Sequence, residues 1–323
     1  MKALVLKETN QYPTVVHDHP QPSASNDDEV VVKLAYAALN RRDYWITQGQ
    51  YPNIKLPVIM GSDGAGTLDG KSVLIYPASG WGDRNAVQSE EFEPLGMPKD
   101  GTIAEYIAID KNYVFDAPDY LTSAEAGCVG MAGLTAYRAL FSRAKIKRGE
   151  RVLINGVGGG VALMACQLSL ANSCEVHVTS GHDEKIEAAK KMGAQEGYNY
   201  RDEKWYKKPL ESNTLFDVIV DSAGGKMFNN LVKVAAPGGR IVTYGGTHGS
   251  MEKVNTQIIF WRQLSILGST MGSPTEFGNL LKFMTKHQIR PIIHKLYHWD
   301  STDAAFDALR DSTQFGKLVF SLE

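Results

Sequence analysis

Four glycines fall within five positions, Gly156 and Gly158 to Gly160, between a short apolar run and a helix-like segment in VLINGVGGGVALMACQLS, Val152 to Ser169. This stretch restricts the fold more than any other. Val152 to Ile154 read as a buried strand, the glycines allow a tight turn and close backbone approach, and the helix that follows presents unpaired N–H groups at its start. A strand that passes through glycines into a helix is suited to holding a pyrophosphate, so the segment reads as a dinucleotide site in a parallel α/β sheet.

The chain of 323 residues is long enough for two domains with substantial cores, and 43% hydrophobic with 22% charged residues describes an ordinary globular protein. A formal charge of −2 gives no broad attraction to nucleic acid or an anionic membrane, and Lys204, Lys207 and Lys208 read as a solvated face. MKALVLKETN enters a strand pattern without the apolar core of a signal peptide, and no run of about 18 apolar residues occurs, so a cytoplasmic protein is expected. Three cysteines, Cys128, Cys166 and Cys174, lack metal-ligand spacing and fit a reducing compartment. The pairs His17/His19 and His294/His298 have no third ligand in a recognisable motif.

Residues 1 to about 120 carry strand runs such as EVVVKLAYAAL and SVLIYPA, broken by turns that include Asp69-Gly70. From about Leu121 helices alternate with the apolar strands RVLING, EVHVTS, FDVIVDSAG, GRIVTYGG and LSILGSTMG, a pattern that implies a doubly wound parallel sheet. The tail from about Ser273 holds a helix, the strand-like IIHKLYHW, a short helix near Ala304 to Arg310 and the strand KLVFSLE. It is expected to return to the first domain, giving 1–120 with 273–323 as one domain and 121–272 as the other.

The order of these elements resembles the medium-chain dehydrogenase/reductase superfamily, and its details resemble the zinc-free NADPH:quinone oxidoreductase branch. The landmarks are ALNRRDYWITQGQYP, PVIMGSDGAG, DGTIAEYIAID and AGLTAYRAL, then the glycine turn, KKMGAQEGYNYRD, FDVIVDSAGG, APGGRIVTYGG and FGKLVFSLE. The resemblance covers nearly the whole chain. It implies an α/β protein with a GroES-like β-rich catalytic domain and a Rossmann cofactor domain.

Where the zinc enzymes of the superfamily place their catalytic ligands, this chain has Asn40, then Ser62 and Asp63 after Gly61, then Met131. The lobe that holds four cysteines in those enzymes corresponds to Trp81 to Pro98, which has none. Neither a catalytic nor a structural zinc is therefore expected.

Cofactor choice should depend on the end of the second Rossmann strand, where an acidic residue would bond a free ribose 2′-hydroxyl. The strand ends VTSGHDEK, so Ser180 and Gly181 leave room for a 2′-phosphate that Lys185 can neutralise. The resemblance adds Tyr200 to Ser180 and Lys185 as the clamp and implies NADPH. In the turn it assigns Gly156, Gly159, Gly160 and Val161 to the cofactor; Ala162 stands where the branch usually has glycine, a small residue that a dinucleotide fingerprint tolerates. Around the nicotinamide, in a cleft between domains, it implies Asn40, Thr135, Gly245 and Met271, with Asn40 and Tyr44 facing substrate.

Without a Lewis acid for an alkoxide, the chemistry best supported is hydride transfer to an acceptor that is already electron-poor, a quinone or an α,β-unsaturated carbonyl. Tyr44 or a bound water is the candidate proton source, and no other catalytic residue is readable. The alternatives are an enoyl or alkenal C=C reductase on the same framework and a non-catalytic NADPH-binding sensor. The resemblance also implies a homodimer, with LSILGSTM as the candidate edge for sheet pairing.

Overall fold

The computed structural model describes residues 1–323. The chain forms two compact units, Met1–Leu134 with Gly272–Glu323, and Thr135–Met271. The first of these units takes in residues 121–134 and the tail from Gly272. The passage from Leu134 to Thr135 lies inside one continuous helix, Gly130–Tyr137.

The first unit is built around the ten-residue strand Glu29–Ala38. Lys33 is exposed between buried Val32 and Leu34, the period-two pattern of a strand with one wet face. At its far end Ala37 and Ala38 are both buried, because both faces of the sheet are covered there, Ala37 lying in the main core and Ala38 packing with Cys128 and Val319. Glu29 to Lys33 pair antiparallel with Tyr106–Asp110. The second half of the strand pairs on one side with Asp63–Leu68 and on the other with Lys317–Ser321. In register, Ala38 lies opposite Asp63 and also opposite Val319. Chain segments more than 250 positions apart thus converge where Glu29–Ala38 ends.

Asp63–Leu68 turns directly into Lys71–Ile75 through Asp69 and Gly70, both left-handed at φ 51° and 77°. Two positive φ values are what a two-residue type I′ hairpin requires, and an Asp-Gly pair supplies them at little cost. The sheet continues to Val114–Asp116 at one edge and Ile293–Tyr297 at the other. Leu4, Leu6, Val32, Ile46, Phe306 and Phe320 are inaccessible in one cluster, each large side chain contributing about 1.5–3 kcal/mol of transfer free energy. The helix Pro274–His287 begins with a capping box, in which the Ser273 N–H donates to Glu276 and the Glu276 N–H donates to the Ser273 hydroxyl. Pro274 fills the first position, where no backbone donor is needed.

The second unit is a six-stranded sheet, parallel throughout, in the order Glu196–Asn199, Glu175–Ser180, Arg151–Ile154, Phe216–Asp221, Ala235–Thr243, Ser265–Gly268. In chain order this is 3-2-1-4-5-6, the doubly wound arrangement whose strand order reverses beside the first strand. The alternation in the sequence marks five of these strands. The sixth, Glu196–Asn199, reads EGYN and is too short and glycine-interrupted to show a β pattern. Phe216, Ile219, Phe228, Val232 and Ile241 are inaccessible beneath the sheet. Ser265–Gly268 is an edge strand with one neighbour, and Ile266 is exposed on it.

Candidate active and cofactor site

At the reversal point of the second unit, the strand Arg151–Ile154 ends in Asn155, whose N–H donates to Val220 O on the adjacent strand at 2.9 Å. Its side-chain amide donates to Asp221 at 2.7 Å, and its amide oxygen accepts from the Thr179 hydroxyl at 2.5 Å. Thr179 in turn accepts from the Gly156 N–H at 3.0 Å. Three strand ends are thereby tied to the glycine turn. Gly156 is left-handed at φ 80°, and a Cβ placed on it or on Gly159 would meet nothing within 4 Å. The glycines leave open space in front of the turn. Gly160 and Val161 open the helix Gly160–Ala171, whose cap, Gly159, provides no side-chain acceptor. Its first N–H groups are directed at the place where a pyrophosphate would sit, and the cradle fits a dinucleotide.

At the end of the second strand Ser180 is 2% exposed. The Tyr200 N–H donates to Ser180 O at 3.0 Å, and the His182 N–H donates to the Ser180 hydroxyl at 3.3 Å. The Tyr200 ring lies so close to Gly181 that a Cβ there would come within 2.8 Å of it. Ser180, Gly181 and Tyr200 are thus one constellation, and Lys185 is the third residue of the helix Asp183–Lys191 that follows. The sequence reading overlooked Arg201, whose guanidinium meets the His182 ring at 3.3 Å. Its only signal was its position directly after Tyr200. Thr135 is buried in the helix Gly130–Tyr137, Gly245 follows the strand Ala235–Thr243 with Ser222 O 3.0 Å from where its Cβ would be, and Met271 closes the second unit, 7% exposed.

In the first unit the antiparallel register carries Lys317 and Asn40 past the Val319–Ala38 pair to face each other. The Leu39 N–H donates to Leu318 O at 3.0 Å and holds that approach. The Lys317 ammonium donates to Asn40 Oδ1 at 2.7 Å and to Asp63 Oδ2 at 2.8 Å, and Asn40 Nδ2 donates to the same Asp63 oxygen at 3.0 Å. The other oxygen of Asp63 accepts from the Met131 N–H, and Thr102 donates to Asp63 O at 2.7 Å. Asp63 is inaccessible and Lys317 is 5% exposed. Of the positions expected to face a metal in zinc relatives, Asn40 and Asp63 meet side chain to side chain and Met131 joins through its N–H, and what meets there is an amide, a carboxylate and the ammonium of Lys317.

Ser62 donates instead to Leu95 O, at 2.9 Å, and accepts from Arg42. No group of three or more His, Cys, Asp or Glu side chains that could hold a metal ion occurs in the chain. A carboxylate already paired with an ammonium, an amide, a hydroxyl and a thioether are a poor donor set for zinc. The three cysteines are buried, and burial pushes the Cys166 thiol up to about 12, which disfavours a thiolate.

Asp43 stands at the third position of the helix Arg41–Thr47, where its carboxylate accepts from the Asn40 N–H at 2.7 Å. Its other oxygen is buried without a hydrogen-bond partner. Burial pushes Asp43 up to about 6, against the Arg42 charge and the Asn40 hydrogen bond that favour ionisation. The folded protein thus holds this proton more tightly than the unfolded chain. The stabilisation is complete below the ordinary carboxylate range and is lost as pH rises through about 6. Relative to Asp43→Asn, the wild type should lose about 2–3 kcal/mol between pH 4 and pH 7, a difference that urea unfolding at both pH values would measure. Tyr44, one residue on, is half-buried against the core, its ring edge-on to Trp45 at 5.4 Å between centroids.

Residues 26–119 match the alcohol dehydrogenase GroES-like domain and residues 160–286 the zinc-binding dehydrogenase family. The zinc-type alcohol dehydrogenase-like protein YogA of Leptosphaeria maculans is 31% identical over 96% of this chain and 95% of its own. The chain belongs to the medium-chain dehydrogenase/reductase superfamily. Quinone oxidoreductase of Rattus norvegicus is 28% identical, covering 93% of this chain and 91% of its own.

Among solved members of the superfamily, an NAD-dependent alcohol dehydrogenase superposes with a TM-score of 0.93 at 29% identity, over 99% of both chains. The quinone oxidoreductase from Thermus thermophilus, determined also with NADPH, superposes at 0.83 with 25% identity over 99% of this chain and 100% of its own. As a superfamily member the chain is an oxidoreductase dependent on a pyridine nucleotide, with a GroES-like unit and a Rossmann unit. No helix is long and apolar enough to cross a membrane.

Proposed function

We propose that this protein is a zinc-independent, NADPH-dependent reductase of quinones or similarly electron-poor carbonyl acceptors. The observation that carries the reading is the buried Lys317–Asp63–Asn40 triad. A metal ion there would have to displace an ammonium from its carboxylate and take an amide in place of a thiolate, which argues against Lewis-acid activation of an alcohol. Relatives from Rattus norvegicus, Mus musculus and Homo sapiens are named quinone oxidoreductase, which supports the acceptor class.

The glycine turn with Gly156, Gly159, Gly160 and Val161 would hold the pyrophosphate, and Ser180, Lys185 and Tyr200 the 2′-phosphate. Arg201 joins this clamp in our reading, because its guanidinium lies beside His182 on the Ser180 loop. Bound NADPH supplies a hydride. Thr135, Gly245 and Met271 would orient the nicotinamide, while Asn40 and Tyr44 would position the acceptor, with Tyr44 or water returning the proton. An acceptor that is already electron-poor needs placement more than activation, and this set of residues offers placement.

The test is nucleotide oxidation by purified protein offered an ortho-quinone, a para-quinone and a medium-chain enone, each with NADPH and NADH. Consumption of NADPH in preference to NADH with formation of hydroquinone is expected. A saturated ketone without hydroquinone would assign the protein to the C=C reductases. Faster oxidation of simple alcohols with NAD+ than any of these reductions would overturn the reading.

A homodimer formed through the free edge Ser265–Gly268 completes the proposal. The neighbouring helix Thr256–Trp261 ends in Phe260 and Trp261, 66% and 83% exposed, an apolar pair of the kind that a second copy would cover. Sedimentation velocity should give the mass of two chains, reduced to one in Trp261→Glu.

A further inference from the structure

Inside the triad, chemistry alone decides how the Asn40 amide is turned. An ammonium can only donate and a carboxylate can only accept, so the oxygen of Asn40 must face Lys317 and its nitrogen must face Asp63. The acceptor atom of the side chain is therefore engaged, as is one of its two amide hydrogens. What Asn40 retains for a ligand is one N–H donor, beside an oxygen whose direction Lys317 has already fixed. The Lys317 contact polarises it, because a cation on the carbonyl oxygen draws electron density from the nitrogen and strengthens its N–H donors in a dry site.

We infer that Lys317 is a positioning residue that locks Asn40 as a donor to the oxygen of the substrate on which negative charge develops. The inference rests on the reductase reading and adds the class of substrate atom recognised: an oxygen acceptor that becomes an oxyanion, as in a quinone or enone. In that step two electrons and one hydrogen nucleus pass as hydride from NADPH to the acceptor, NADP+ is left, and the acceptor oxygen holds the charge until a proton arrives from water. A preorganised donor aimed at that oxygen stabilises the charge without reorganising. With Lys317 absent, Asn40 could rotate and present its oxygen instead, which would repel the same charge.

Spectrophotometric titration of 4-nitrophenol, a stable mimic of the phenolate product, on the NADP+-loaded protein tests this without turnover. In the wild type, bound nitrophenol should ionise at least one pH unit lower than in water. Lys317→Gln/Asp63→Asn keeps the hydrogen-bonding capacity but removes both charges. It should abolish the lowering while NADP+ affinity stays within twofold. Asn40→Leu, which leaves the Lys317–Asp63 pair in place, should likewise abolish the lowering should the double variant fail to fold.

In turnover, the double variant should lose at least tenfold in kcat with electron-rich quinones and far less with electron-poor ones, with little change in the KM for NADPH. A merely structural role would lower all acceptors alike. Wild-type protein that reduces quinones yet leaves nitrophenol ionisation unmoved would overturn the role of Lys317 and leave the reductase reading intact. A phenolate site without turnover of any acceptor would retain the positioning role and overturn that reading.

Discussion

Replacement of Lys317 by methionine is expected to lower the free energy of unfolding by about 3–5 kcal/mol at pH 7, the usual cost of removing one partner from a buried ion pair. Asp63 is inaccessible, and its charge is balanced in the triad by Lys317 alone. The variant would bury a carboxylate held only by the Asn40 amide and the Met131 N–H. That charge can be relieved by a proton, so the defect should shrink as pH falls towards 5. Lys317→Met/Asp63→Asn should recover most of the loss, since no uncompensated charge remains. Denaturant unfolding of the three proteins at pH 5 and pH 7 checks all of this. Equal stability of wild type and Lys317→Met at pH 7 would mean that the triad is not the closed ion-paired unit described here.

Cofactor choice gives the second large effect. In Ser180→Asp/Lys185→Leu a carboxylate would meet the 2′-phosphate and its cationic partner would be gone. Hydrogen bonds to charged groups are worth about 1.5–3 kcal/mol each, so losing two predicts NADPH binding weakened by about a hundredfold or more. NADH binding should tighten, because the new carboxylate can accept from a free 2′-hydroxyl. Isothermal titration calorimetry with both nucleotides measures the exchange. Unchanged NADPH affinity would show that the phosphate is held elsewhere, and Arg201→Leu would then be the variant to measure.

Features encoded over a few adjacent residues were legible in the sequence. The glycine turn, the Asp69-Gly70 hairpin and the parallel strands follow from local backbone freedom and apolar patterning, and the fold they imply agrees with the structure. The triad was legible only by halves. Asn40, Ser62, Asp63 and Met131 are readable as standing where zinc relatives hold their metal, though Ser62 turns to Leu95 O, but Lys317 is 254 residues from Asp63 and sits in a terminal strand whose pattern shows only that it is buried. Its partner follows from register, a property of the folded sheet. The passage between the two compact units falls within the helix Gly130–Tyr137, where no change of composition marks it, and Arg201, an isolated arginine after a short strand, resembles any surface residue.

On the proposed reading this site works without a metal, with the Lys317 ammonium held between Asn40 and Asp63. The most direct test is NADPH-dependent quinone reduction by protein stripped of metal, with metal content determined on the same sample and zinc then added back. The account predicts full activity with less than about 0.05 zinc per chain and no gain on addition, a stoichiometry far below the one ion per site that a catalytic zinc requires. Activity that disappears with the metal and returns in proportion to added zinc would contradict it.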